Sequence, residues 1–118
     1  MFDGRDFLSV ARQQLGPDRS DAEYRTAIGR AYYSAFLHAR TCLERSKQTV
    51  FPKTGKAHGM VRKSLNSGHP RLAKDLDDLR RLRNRADYDV HYSGAREDAD
   101  DVVERADILI LTLNVDSD

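Results

Sequence analysis

The sequence predicts an all-α fold, an antiparallel bundle of four to five helices formed by a single domain over residues 1–118. Three observations support this prediction. Between the prolines, apolar residues recur at helical rather than alternating spacing. Pro17, Pro52 and Pro70 stand where a helix begins or a loop runs. The segments that separate the apolar patterns are short, which favours antiparallel neighbours.

The first two predicted helices cover residues 3–15 and 21–46. Gly16 and Pro17 end the first helix, and the sequence SDAE at 20–23 forms a capping box that begins the second. Along the apolar stripe of the second helix alanine recurs every four residues, so a neighbouring helix can approach closely. These alanines are Ala27, Ala31, Ala35 and Ala39.

The remaining helices are predicted over residues 56–66, from residue 70 to 88 or 89, and over residues 96–113. Pro70 suits the first turn of its helix, because the N–H that proline lacks has no partner there. The acidic start of the last helix suits the positive end of a helix dipole. Residues 90–95 are predicted to form a turn.

The composition favours a cytoplasmic protein. Charged residues make up 33% of the chain and the mean hydropathy is −0.71. No apolar run approaches the roughly 20 residues of a membrane span, and the N-terminal segment lacks the apolar core of a signal peptide. Cys42 is the one cysteine, so no intramolecular disulfide can form.

The charges are distributed unevenly along the chain. Residues 53–85 hold ten Lys and Arg residues against three Asp, whereas residues 86–118 hold two basic residues against ten acidic ones. The basic block can bind an anionic ligand. Alternatively, the acidic last helix packs beside the basic block and neutralises it. The sequence leaves both interpretations open.

Arg83 is an unusual residue for its position. On a helical wheel it falls within the apolar stripe that Leu72, Leu76 and Leu79 define, where a charge must be paired. It is either a structural arginine paired with Asp87 or with an acid of the last helix, or a clamp for a phosphate group. Polar residues run along one edge of the stripe: Arg80, Asn84, Asp87 and, if the helical turn continues, His91.

Three segments resemble the HEPN-domain family. The segment YRTAIGRAYYSAFLHARTCL at 24–43 resembles the second helix of these proteins, with its paired tyrosine and following phenylalanine. The segment LRNRADYD at 82–89 resembles a motif of small, stand-alone HEPN proteins, and KAHGMVRKSL at 56–65 resembles their short helix. The resemblance covers roughly residues 5–113 and implies a helical bundle that forms a homodimer.

Many HEPN proteins are metal-independent endoribonucleases, so the resemblance implies RNA cleavage without metal or cofactor. Their motif is an arginine, a polar residue and a histidine after four to six intervening residues, and two motifs meet across the dimer cleft. The histidine moves protons, the arginine holds the scissile phosphate, and the 2′-hydroxyl of RNA is the nucleophile. The function expected from the resemblance is that of a toxin or defence component that acts as a homodimer.

Carried onto this sequence, the motif gives Arg83 and Asn84 as catalytic residues and His91 as the acid or base. His91 follows Arg83 after seven intervening residues, one more than the pattern allows. Arg85 and His91 satisfy the spacing, but the wheel places Arg85 on the opposite, solvent-facing side. Residues predicted to bind RNA or a nucleotide are Arg80, Asp87, Lys56, Arg62 and Lys63. Lys56, Arg62 and Lys63 belong, with Lys53 and Arg71, to a basic cluster around the predicted third helix that is equally consistent with a solvated surface.

The resemblance also implies an alternative function. Small HEPN proteins are commonly partnered with a minimal nucleotidyltransferase, and some receive AMP on a tyrosine near the motif. Tyr88 and Tyr92 are then the candidate acceptors, in a non-catalytic subunit that binds the transferase and a nucleotide. No metal site is predicted, and His58 and His69 are expected at the surface or at helix caps.

Overall fold

The structure is a computed structural model that describes residues 3–117, with side chains described as far as Asn114. Within these residues it contains α-helices and no strand, which confirms the all-α prediction. The helices are α1 (Asp6–Gln13), α2 (Asp21–Lys47), α3 (Ala57–Asn66), α4 (Pro70–Tyr88) and α5 (Ala95–Ser117).

Helix α2 is the centre of the bundle, because all four other helices pack against it. Its predicted alanine stripe is completely buried, so the neighbouring helices approach its backbone closely. The predicted capping box is present: the Ser20 side chain accepts the Glu23 N–H at 3.1 Å, and Glu23 accepts the Ser20 N–H at 3.1 Å. These hydrogen bonds fix the start of α2 where the sequence predicts it.

Helix α1 is shorter than predicted at both ends. The Asp3 carboxylate accepts the backbone N–H of Arg5 at 2.9 Å and pairs with the Arg5 guanidinium. Local side-chain hydrogen bonds of this kind compete with the helix, and residues 3–5 form a turn instead. The hydrogen bonds from Arg5 also lower the pKa of Asp3 to about 2.

The α4–α5 connection is tied to α2 by Arg25. One guanidinium nitrogen, Nη1, donates to the carbonyl oxygens of Ala86 at 3.0 Å and Asp89 at 2.7 Å, and Nη2 donates to that of Tyr92 at 3.2 Å. These are carbonyls at the end of α4 and in the turn that follows, where helices leave such groups unpaired. Arg25 therefore fixes where α4 ends and how the chain leaves it.

Among the described residues, no acid of α5 forms an ion pair with the basic 53–85 block, although Arg83 and Asp87 pair across the boundary between the two blocks within α4. Between α4 and α5 the described ion pairs run from Arg105 on α5 to Asp75 and Asp78 on α4, at 3.2 and 3.0 Å. The acidic Asp107 of α5 pairs with Arg12 of α1 instead. Since no described acid of α5 pairs with a basic residue of the 53–85 block, the neutralisation expected under the second interpretation is absent from the described contacts.

Among the described residues, no helix combines the length and the apolar character that crossing a membrane requires.

Candidate functional site

A pocket of about 300 Å³ lies between the helices α2, α3 and α4 and the loop that precedes α3. Four cationic side chains line it: Arg40 from α2, Lys53 from the loop, and Arg80 and Arg83 from α4. Among the residues that the structure describes, no Asp or Glu is part of its lining. We call it the cationic pocket. Its remaining walls are Tyr32, Tyr33, Phe36, Leu37, Thr54, Gly55, Ala57 and His58.

Three of the four cations have no acidic partner among the described residues. Arg80 and Lys53 are exposed and form no described ion pair. The Arg40 guanidinium lies 5.8 Å from the centre of the Phe36 ring and likewise has no described carboxylate beside it. Uncompensated positive charge on the walls of one concave site raises the local concentration of anions. The pocket is thus a candidate site for a negatively charged group.

Arg83 is half-buried, with 21% of its side chain exposed, and its guanidinium is held from several sides. Its Nη2 donates to the hydroxyl of Tyr33 and its Nη1 to the side-chain oxygen of Asn84, both at 3.2 Å. Its Nε lies 3.0 Å from the Asp87 carboxylate, but the N–H is not aimed at that oxygen and makes no hydrogen bond. Arg83 is therefore both ion-paired and oriented toward the pocket.

The structure brings together most of the polar edge predicted on α4. Arg80 and Arg83 line the cationic pocket. Asn84 and Asp87 are not part of its lining, and both contact the Arg83 guanidinium. Their role in this geometry is to orient Arg83 rather than to contact a ligand in the pocket.

His91 does not lie where a continued helix would put it. Helix α4 ends at Tyr88 and the backbone of Asp89 is extended, so the wheel does not apply beyond this point. The backbone N–H of His91 donates to the Asp89 carboxylate at 3.0 Å, and its side chain is exposed. None of the described contacts joins His91 to Arg83. The condition for placing His91 on the α4 edge, a helix that continues, is therefore not met, as the predicted helix end at residue 88 or 89 implies. The catalytic role of His91 stays a prediction.

His58 is buried, so its expected place at the surface was wrong. Only 7% of the residue is exposed. Its Nδ1 lies 2.7 Å from the Tyr32 hydroxyl and its Nε2 lies 3.0 Å from the Asp77 carboxylate. Burial lowers the pKa of His58 below its ordinary value, although the hydrogen bond to Asp77 opposes this shift. Burial also raises the pKa of the Tyr32 phenol to about 12.

Of the basic residues predicted around α3, Lys53 lines the cationic pocket and the others lie outside it. Lys56 and Lys63 are exposed and are not part of its lining. Arg62 is ion-paired with Asp77, the carboxylate that also contacts His58. A ligand that fills the pocket would reach these residues only if it extended beyond the pocket.

The two candidate modification sites differ in accessibility. Tyr88, the last residue of α4, is 74% exposed. Tyr92 is 4% exposed, its hydroxyl donates to the Asp98 carboxylate, and Arg85 covers its ring at 4.6 Å from the ring centre. Burial and Asp98 raise the pKa of Tyr92 above its ordinary value. The structure is inconsistent with Tyr92 as an accessible acceptor, because Asp98 holds its hydroxyl, Arg85 covers its ring and Tyr92 does not line the cationic pocket.

No candidate metal centre is found among the described residues, since no three His, Cys, Asp or Glu side chains lie together. His38 and Cys42 are the nearest approach to one. The His38 Nε2 lies 3.5 Å from the Cys42 sulfur, but it also lies 2.7 Å from the side-chain oxygen of Asn114. The imidazole is thus engaged with an amide, and burial lowers its pKa.

Comparison with known proteins identifies the family. Residues 3–115 match the HEPN domain. The chain is similar to two uncharacterized proteins of Methanocaldococcus jannaschii. MJ0992 is 35% identical over 114 residues, covering 79% of this chain and 64% of the relative, and MJ0628 is 30% identical over 108 residues, covering 76% and 65%. The chain thus spans just under two thirds of the length of these relatives, and no solved structure matches it. The chain belongs to the HEPN domain family.

Proposed function

We propose that this HEPN protein binds RNA through its phosphates at the cationic pocket and cleaves it without a metal ion, as a homodimer that serves as a toxin or defence component. One observation carries the proposal. Four cationic side chains converge on one pocket whose described lining contains no carboxylate: Arg40, Lys53, Arg80 and Arg83. One guanidinium group can donate two parallel hydrogen bonds to the oxygens of a phosphate. It also stabilises the additional negative charge of the transition state.

The aromatic walls of the pocket support RNA rather than a small inorganic anion. Tyr33 is partly exposed beside Arg83, whose guanidinium lies 5.3 Å from the centre of the Tyr33 ring. An accessible ring next to a cationic groove can stack on a base of a single strand. The cations then hold the backbone, while the ring holds the base without selecting a sequence.

The first prediction concerns salt. The affinity for a fluorescently labelled single-stranded RNA is expected to fall steeply with salt concentration, because binding releases counterions. Replacing Arg40 or Arg80 with alanine is expected to reduce the slope of log affinity against log salt by about 0.7 each. Fluorescence anisotropy measures the slope. Arg81→Ala serves as the matched control. Arg81 is an exposed arginine that neighbours Arg80 on α4 but does not line the pocket.

The same preparation tests cleavage and assembly. Wild-type protein is incubated with RNA in excess chelator, the products are separated by size, and light scattering measures the mass of the active species. We expect cleavage by a dimer. Intact RNA after prolonged incubation would overturn the proposed activity, and a monomer that cleaves RNA would remove the homodimer from the proposal.

The exposure of Tyr88 favours a second candidate function, that of a non-catalytic subunit modified by a minimal nucleotidyltransferase. The phenol oxygen of Tyr88 would attack the α-phosphorus of ATP, form a phosphodiester with AMP, and release pyrophosphate. The second prediction is a mass gain of one AMP after incubation with such a transferase and ATP. Intact mass spectrometry should show the gain in wild type and in Tyr92→Phe, but not in Tyr88→Phe. A gain that persists in Tyr88→Phe would exclude this acceptor.

A further inference from the structure

Three side chains from three helices form a continuous hydrogen-bond chain beside the pocket. Tyr32 of α2 lies 2.7 Å from Nδ1 of His58 on α3, and Nε2 of His58 lies 3.0 Å from Asp77 of α4. A carboxylate can only accept, so Nε2 carries the proton toward Asp77 and Nδ1 accepts from the Tyr32 hydroxyl. We call this chain the Tyr32–His58–Asp77 relay.

The relay has the parts that activate a hydroxyl group. A hydroxyl donates to an imidazole, and a carboxylate orients the imidazole and stabilises its protonated form. Two members of the relay, Tyr32 and His58, line the cationic pocket, so the relay borders it. The Arg83 guanidinium lies 6.0 Å from the centre of the Tyr32 ring. A phosphate held by Arg83 would therefore lie next to the relay.

We propose that Tyr32 takes the proton of the attacking RNA 2′-hydroxyl and passes its own proton to His58, so that the relay rather than His91 supplies the base for cleavage. The inference rests on the proposed function and identifies the proton acceptor at the same pocket. Tyr32 is the catalytic residue. His58 and Asp77 act through it, His58 as the final proton acceptor and Asp77 as the residue that positions the imidazole.

The step balances in atoms and charge. The bond between the 2′-oxygen and phosphorus forms while the bond between phosphorus and the 5′-oxygen breaks. The 2′-hydroxyl proton moves to the Tyr32 oxygen as the Tyr32 proton moves to Nδ1 of His58. The leaving 5′-oxygen takes a proton from water, and His58 later returns its proton to solvent through Tyr32. The products are a 2′,3′-cyclic phosphate and a 5′-hydroxyl end.

The charges that face His58 decide its protonation state. Asp77 on α4 favours the imidazolium, whereas Arg80 on α4 and Arg62 on α3 oppose it. Together with burial, these arginines keep the imidazole neutral near pH 7, which is the form that can accept a proton. A bound phosphate would offset the charge of Arg80 and so favour proton uptake when substrate is present.

The third prediction tests the relay with variants that spare the arginines. Tyr32→Phe keeps the ring and removes the hydroxyl, and His58→Gln removes the proton acceptor. Single-turnover cleavage in chelator is expected to fall by about 10²-fold or more in both variants, the usual contribution of general acid–base catalysis. RNA affinity should stay near the wild-type value, because no cation is lost. Tyr24→Phe is the control and should cleave normally, because Tyr24 is a buried tyrosine of the same helix α2 that does not line the pocket.

The pH profile provides a readout that a structural role would not produce. Below the lowered pKa of His58 both ring nitrogens carry protons, so Nδ1 can no longer accept from Tyr32. The wild-type rate should rise with pH to a plateau, with the apparent pKa below the ordinary value for histidine. The residual activity of His58→Gln should lose this acid limb. Circular dichroism checks that each variant is folded.

The outcomes separate the relay from the activity itself. Wild-type cleavage that Tyr32→Phe retains and His91→Ala loses would overturn the relay and leave the nuclease intact. RNA that stays intact with wild-type protein would overturn both. If His58→Gln does not fold, Tyr32→Phe alone tests the relay, because phenylalanine has nearly the same shape as tyrosine.

Discussion

Replacing Arg83 with alanine is expected to lower the single-turnover rate of RNA cleavage by about 10²- to 10³-fold, the usual loss when a preorganised electrostatic donor is removed. The guanidinium is already oriented by Tyr33, Asn84 and Asp87, so no reorganisation is needed when charge develops on the phosphate. Alanine removes both the charge and the two-nitrogen fork. The measurement is the cleavage rate in chelator at saturating protein.

Two further variants give this result its meaning. Arg83→Lys restores the charge without the fork and should recover only part of the rate, because an ammonium group cannot donate in two parallel directions to one phosphate. Arg81→Ala removes an arginine from the exposed side of the same helix and should cleave like wild type. A normal rate in Arg83→Ala, in folded protein that still binds RNA, would show that the pocket is not the cleavage site.

The fold could be predicted from the sequence because its signals are local. The capping box at Ser20 and Pro70 at the start of α4 each fix a helix end through groups a few residues apart. The first helix begins later than predicted because the Asp3 carboxylate accepts a hydrogen bond from the backbone N–H of Arg5. The spacing of apolar residues, on which the prediction relied, contains no information about this hydrogen bond. Helix ends therefore follow hydrogen bonds that apolar periodicity does not report.

Sequence analysis identified Arg80 and Arg83 on one wall of the candidate site, and Lys53 within a basic cluster, but it missed Tyr33 and Arg40. Arg83 was identified because a charge within an apolar stripe conflicts with the pattern around it, and this conflict is visible within one helix. The opposite wall comes from Tyr33 and Arg40 on α2 and Lys53 in the loop before α3, and only the packing of these elements on α4 brings them to Arg83. The spacing of Tyr33 and Arg40 could have indicated a shared site, because residues two helical turns apart lie on the same side of a helix.

His58 and His91 show why the environment of a histidine is difficult to predict from sequence. His58 looks like a residue near a helix end, yet α3 packs against α4 and buries it between Tyr32 and Asp77. His91 lies beyond the end of α4, and its position depends on Arg25, a residue distant in sequence. In both cases the contact that decides the environment is made by another helix.

The last prediction concerns Arg25. Arg25→Ala is expected to lower the free energy of unfolding by about 3 kcal/mol, because hydrogen bonds to a charged group contribute roughly 1.5–3 kcal/mol each and are not additive. The half-buried side chain also stacks on the Tyr92 ring at 5.5 Å from its centre. Urea unfolding followed by circular dichroism measures the change. Thr26→Ala, an exposed neighbour on the same helix, is the control and should change stability by less than about 0.5 kcal/mol.

A loss below about 0.5 kcal/mol in Arg25→Ala, the range of ordinary surface substitutions, would mean that the α4–α5 turn holds its shape without Arg25. The same variant also separates the two histidines. Loss of the hydrogen bonds to Ala86, Asp89 and Tyr92 releases the turn that carries His91, whereas the relay, built on α2, α3 and α4, has no contact with this turn. The comparison is made at a temperature where the variant stays folded. If Tyr32 and His58 move the proton, RNA cleavage should persist in Arg25→Ala. If His91 moves the proton, cleavage should be lost because the turn that carries His91 is released.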